Sequence, residues 1–136
     1  MQNLKSLIKQ AEKDSVVIGH FNVSDSVALK AIFAASQEAS LALNGREAAQ
    51  ELKLPVIIGT SEGEAEFLGR NMASAMVKRL REDNDFPIFL NSDHTHSLEE
   101  VKKAVDVWYD AIIFDGSKLS FEENIKQTKK AVEYIK

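Results

Sequence analysis

Cysteine is absent from this chain, which excludes disulfides and thiolate-held zinc, so any metal would have to be held by His, Asp or Glu. Histidine is scarce too, with three in 136 residues. Long hydrophobic runs are missing: the longest are short pieces such as Val16 to Ile18 and Ala111 to Phe114, far below the roughly 20 residues of a membrane span. The opening Met1-Gln2-Asn3-Leu4-Lys5 carries charge without a following apolar core, so no secretory signal is expected and the cytoplasm is the default location. An excess of basic residues is also lacking. The net charge is −4 and the isoelectric point is near 5.4, with Lys and Arg scattered among acids, which argues against a nucleic-acid partner. What is present, 44% apolar and 28% charged residues, suits a folded soluble domain.

Periodicity organises the chain into alternating elements. Leu4, Leu7, Ile8 and Ala11 follow helical spacing, so an amphipathic helix is expected over about residues 3–13. Val16 to Phe21 then reads as a short buried strand, and Ser24 or Asp25 as the cap of a helix carrying Ala28, Ala31, Ile32 and Ala35 on one face. The pattern recurs three times. Pro55 to Gly59 is a strand followed by a helix with Phe67, Leu68, Met72, Met76 and Leu80. Pro87 to Leu90 precedes a helix opening at Ser97-Leu98-Glu99-Glu100, a capping-box pattern, with Val101, Ala104, Val105 and Trp108 on its apolar face. Ala111 to Phe114 precedes a helix opening at Ser120-Phe121-Glu122-Glu123. Met72, Met76 and Trp108 read as core.

Strict alternation of strand and helix implies right-handed crossovers and a parallel sheet. Four such units make half of a (β/α)8 barrel, which takes roughly 250 residues when closed. The fold expected is therefore α/β, a single (β/α)4 half-barrel domain over residues 1–136 with an extra N-terminal helix. A four-stranded open sheet of flavodoxin type is the architectural alternative, although that fold usually wants five strands. The stretch between the first and second strands is too long for one barrel helix and its loops. An extra helical segment is expected at about 36–53, with Leu43-Asn44-Gly45 as a helix stop and Arg46 to Leu52 as a second helix. Ala34-Ala35-Ser36-Gln37-Glu38 resembles Ala48-Ala49-Gln50-Glu51, so the segment is either an engineered or recent duplication or a natural loop elaboration.

In a parallel barrel the catalytic groups gather at the C-terminal ends of the strands. Those positions here carry His20-Phe21-Asn22, Thr60-Ser61-Glu62-Gly63, Asp93-His94-Thr95-His96 and Asp115-Gly116-Ser117. Residue by residue, plainer roles stand beside the chemical ones. Asp93 could cap the following helix, His20 could be a packed or substrate-lining side chain, Asp115 could serve loop amides, and His96 is either a solvent-facing residue or an auxiliary metal contact.

Gly19-His20-Phe21-Asn22-Val23, Ser61-Glu62-Gly63, Asp93-His94, and Phe114-Asp115-Gly116-Ser117 followed by Phe121-Glu122-Glu123-Asn124-Ile125 resemble, in order, the motifs of class II, metal-dependent fructose-bisphosphate and tagatose-bisphosphate aldolases. The resemblance spans nearly the whole chain and corresponds to the first half of that barrel. It implies a lyase that reversibly cleaves a ketose bisphosphate, as in glycolysis, with Asp93 as the general acid/base and His94 as a zinc ligand. It places Asn22, Asp115 and Ser117 on the substrate side and turns Ser61 and Gly63 towards a phosphate. Two features depart from the family pattern. Thr95-His96 stand where a glycine usually follows the Asp-His pair, and the half that carries the remaining zinc histidines and a glycine-rich phosphate loop is not in this sequence. Catalytic zinc typically takes three protein ligands, so a lone chain is expected to bind it weakly and to be inactive. Its expected partners are a sugar phosphate and either a second copy, as a homo-oligomer, or a complementary C-terminal half-barrel. The contrasting reading is an engineered or fragment-derived scaffold that self-assembles and has no activity.

Overall fold

A computed structural model describes residues 3–44 and 53–136. The elements are α1 (Leu4–Asp14), β1 (Gly19–Asn22), α2 (Ser26–Asn44), β2 (Val56–Thr60), α3 (Glu62–Leu68), α4 (Arg70–Asn84), β3 (Ile88–Thr95), α5 (Leu98–Asp106), β4 (Ala111–Phe114) and α6 (Phe121–Ile135). The four strands form one parallel sheet in the order β1-β2-β3-β4. This is the α/β half-barrel expected from the alternation, N-terminal helix included. The proposed second helix at 46–52 lies outside the described residues. Helix α2 runs to Asn44, and the Ser40 hydroxyl inside it accepts from the Leu54 amide at 3.0 Å, tying the helix to the approach of β2.

Alternation along the strands sorts their side chains into two faces. Val56, Ile58, Ile88 and Leu90 point outward and are buried against Val23, Leu29 and Phe33 on one side and Ala73 and Val77 of α4 on the other. Phe33 and Phe86 close that core edge-to-face, with ring centroids 5.4 Å apart. Leu90 is 1% exposed, so Leu90→Ala should cost about 2–5 kcal/mol of unfolding free energy, checked by urea denaturation. The opposite face carries, by the pairing register, His20, Ile57 and Phe89 in one row and Asn22, Gly59, Asn91 and Ala111 in the next. In a closed barrel this second face is the interior.

Several expectations need correction. The first strand begins at Gly19, not Val16, and Val16 and Val17 are exposed. Gly19 pairs with Val56, and the residue before Val56 is Pro55, which has no amide hydrogen to extend the ladder. The helix after β2 is really two helices, because Gly69 at φ 85° ends α3 and restarts the chain as α4. The helical period is reset there, so Phe67, read as part of one continuous face, is exposed, and Met72 is 58% exposed while Met76 packs on the core. Trp108 is not core: it is 85% exposed. Helix α5 has already ended, and Trp108 takes a left-handed φ of 65°, which swings its ring off the stripe begun by Val101 and Ala104. Tyr109 turns inward instead, its hydroxyl 2.9 Å from Thr60 Oγ1. Among the described residues no helix is long and apolar enough to cross a membrane.

Candidate functional site

The C-terminal strand ends bring Asn22, Ser61, Asp93, His94 and Asp115 to one rim of the sheet. Strand β3 is longer than its apolar run predicts, continuing through Asn91-Ser92-Asp93-His94 to Thr95, so Asp93 and His94 lie within the strand and not beyond it. Thr95 is fully buried. It pairs with Phe114 of β4 after a register shift, and its hydroxyl is 2.9 Å from that of Ser92. That shift is a bulge, and at its centre His94 adopts a left-handed φ of 51°. Neighbours in a regular strand point to opposite faces. The bulge cancels that alternation, leaving His94 Nε2 3.9 Å from Asp93 Oδ1. Histidine is a residue type that tolerates this conformation.

Each of these two side chains is held by a different strand. Asn22 Nδ2 donates to Asp93 Oδ2 at 3.1 Å. The His94 Nδ1–H faces Asp115 Oδ2 at 2.9 Å, at the end of β4. Asp115 also accepts the Ser117 amide at 2.9 Å, so its expected service to loop amides is present alongside the contact with His94. Asp93 does not cap the next helix, since Ser97 accepts from the Glu100 amide in that role. His20 stands on the inner face of β1 with Nε2 3.2 Å from Asn91 Nδ2, away from the Asp93-His94 pair. His96 is drawn towards β4, its Nδ1 3.3 Å from the Asp115 carbonyl oxygen, while its amide donates to Glu62 at 2.8 Å. Gly63 and Ser117 are exposed, and Ser117 enters the cluster through its hydrogen bonding to Asp115.

Gly59 makes this arrangement possible. A Cβ there would sit 2.1 Å from Asn22 Oδ1 and 2.7 Å from His20 Nε2, so the missing side chain is what lets both β1 residues lean across β2. Sequence reading missed Glu64. Its Oε2 accepts from Asn22 Nδ2 at 3.1 Å and from the Ser61 amide at 2.7 Å, completing a capping box at the start of α3. The Ser61-x-x-Glu64 spacing was the available signal.

The electrostatics follow from these contacts. Hydrogen bonding from Ser117 first, and from His94 second, holds the Asp115 carboxyl well below the usual carboxylate range. In turn the hydrogen bond to Asp115, reinforced by the charge of Asp93, raises His94 above its ordinary value of 6.5. A raised histidine stabilises the fold below its unfolded pKa, and that contribution is lost as pH rises through the raised folded value. His94 should therefore titrate above 6.5 by NMR, and Asp115→Asn should move it back down.

With Nδ1 engaged by a carboxylate, a neutral His94 keeps its Nε2 lone pair free, which is how metal-bound histidines are usually oriented. The donor chemistry suits a divalent metal, but only as one ligand. Among the described residues no group of three His, Cys, Asp or Glu side chains is placed to hold an ion.

Comparison with known proteins points to one family. The model of the family described as "Fructose-bisphosphate aldolase class-II" matches residues 2–136. A fructose-bisphosphate aldolase of Geobacillus stearothermophilus is 33% identical over 135 residues, covering 97% of this chain and 42% of that protein. One from Staphylococcus aureus (strain Mu50) is 32% identical over 135 residues, covering 97% of this chain and 43% of its own length. The crystal structure of the YdjI aldolase from Escherichia coli K12 superposes with a TM-score of 0.80 at 26% identity, covering 98% of this chain and 47% of that one. The chain thus spans less than half the length of these relatives, and the matching part contains both Asp93 and His94.

Proposed function

Because the chain belongs to the class-II fructose-bisphosphate aldolase family, we propose that it is the N-terminal half of an aldolase barrel that, once completed by a second half, reversibly cleaves a phosphorylated ketose with the help of zinc. The observation that carries this reading is the meeting of Asp93 and His94 on one rim, each oriented by a separate partner, Asn22 and Asp115. An aldol cleavage needs a carboxylate within hydrogen-bond reach of the hydroxyl next to the breaking bond. Asp93 meets that need, since Asn22 ties down its Oδ2 while its Oδ1 stands beside His94 Nε2, at 3.9 Å. It takes the hydroxyl proton in cleavage and returns it in the reverse direction. His94 would be one ligand of the metal through Nε2. When bound, the cation supplies electrostatic stabilisation of the negative charge that develops on the ketose oxygens. Asp115 keeps the imidazole in the ligating tautomer, and Asn22, Ser61 and Ser117 line the substrate side.

The completing half has work to do on both counts. A metal held by His94 alone needs two further ligands, and β1 and β4 each have a strand neighbour on one side only among the described residues. Inner-face residues Ile57 and Ile113 would be covered by closure, Ile113 being 47% exposed here. Mixing this chain with the C-terminal portion of the Geobacillus stearothermophilus relative should give a species heavier than 15.1 kDa in analytical ultracentrifugation. A folded 15.1 kDa monomer that neither self-associates nor binds that portion at high concentration would contradict it.

A further inference from the structure

His96 is a rim histidine to which the aldol chemistry gives no part. It lies between two fixed points: Thr95 before it is fully buried and bonded to Ser92, and Ser97 after it caps α5. Its backbone is also held from α3, where Glu62 Oε1 accepts the His96 amide at 2.8 Å. So anchored, the ring turns to β4, with Nδ1 3.3 Å from the Asp115 carbonyl oxygen and 3.9 Å from Asp115 Oδ2. We propose that His96, braced by Glu62, is a positioning residue: donating from Nδ1–H to the Asp115 carbonyl, it aims the Asp115 carboxylate and so keeps His94 in the tautomer that leaves Nε2 free. The consequence for metal binding rests on the aldolase reading of the rim.

The Asp115 backbone is gripped on both sides by the segment that follows His94. Its amide donates to the Thr95 carbonyl at 2.8 Å, and its carbonyl receives His96 Nδ1–H. Peptide groups are planar, so fixing the two that flank a Cα fixes where its Cβ points. That direction matters because the His94 side chain is 64% exposed, and water competes for its Nδ1–H. A hydrogen bond weakens steeply as its angle departs from linear, so only a well-aimed carboxylate holds the proton on Nδ1. The contact also depends on which nitrogen of His96 donates. Asparagine can place an N–H where histidine has Nδ1, whereas glutamine places its N–H nearer the position of Nε2.

The test reads the tautomer of His94 from its side-chain nitrogen shifts by NMR, in the zinc-free chain at a pH where the ring is neutral. The native protein should carry the proton on Nδ1. His96→Asn and Glu62→Gln, which preserve the donor and the acceptor, should keep it there. His96→Ala, His96→Gln and Glu62→Ala should shift the population towards Nε2–H. Titration of the same proteins with zinc should find affinity about threefold to tenfold lower in these last three, the lower end of what groups behind a metal ligand contribute. A tautomer indifferent to every substitution would overturn the proposal, as would its loss in both His96→Asn and Glu62→Gln. Zinc affinity that falls as far in His96→Asn as in His96→Ala, with the tautomer unmoved, would overturn it in favour of His96 as a ligand. A native chain that takes no zinc at His94 would count against the aldolase reading alone, since the tautomer decides the positioning role without metal.

Discussion

Replacing His94 by alanine should abolish zinc binding by this chain, whereas replacing His20 should leave it nearly unchanged. With no cysteine and three histidines, ligand choice is narrow. His20 stands on β1 against Asn91, and His96 turns its Nδ1 to the Asp115 carbonyl. Only His94 combines a carboxylate-oriented Nδ1 with an Nε2 directed at the rim beside Asp93. A single protein ligand makes the affinity of the isolated chain low, with water or buffer ions filling the other positions. Isothermal titration of the three proteins with zinc reads the difference, and tight binding that survives His94→Ala would mean that the metal is held elsewhere.

The second large effect is expected at Asp93. In the completed barrel, Asp93→Asn should lower the rate of aldol cleavage by about 10²–10⁴-fold, the usual worth of a positioned general acid/base. The amide is nearly the same shape, and its oxygen can still accept from Asn22, so the fold and zinc affinity should change little. A fall in rate with KM nearly constant would mark an interaction made in the transition state. An unaltered rate would remove Asp93 from the chemistry.

The order of strands and helices was legible because buried parallel strands read as short apolar runs, and because Asp25, Ser97 and Ser120 announce helix starts by their side chains. Boundaries were harder where one backbone angle decided the outcome. Gly69 divides what looked like one helical face, and the left-handed turn at Trp108 exchanges the expected core tryptophan for Tyr109. Neither event leaves a trace in hydrophobic periodicity. Asp93, His94 and Asp115 were visible as polar residues at strand ends, and the structure brings them together. How adjacent residues of a strand could share one rim was not visible, since that depends on the bulge between Ser92 and Thr95. Asn22 was read as facing substrate, but its amide nitrogen is divided between Asp93 and Glu64. Glu64 itself belongs to a helix-capping pattern, and only its distance to a side chain 42 positions away shows its second engagement.

Cleavage of ketose phosphates, carrying the phosphate at either end or at both, tests the central claim most directly when this chain is assayed with zinc alone and with the C-terminal portion of the Geobacillus stearothermophilus relative. Turnover is expected only in the mixture, and it should fall by about 10²–10⁴-fold with Asp93→Asn. Turnover by the isolated chain at the rate of the mixture, or an assembled mixture that cleaves none of these substrates, would contradict the assignment of a half-barrel that carries the acid/base and one metal ligand of an aldolase.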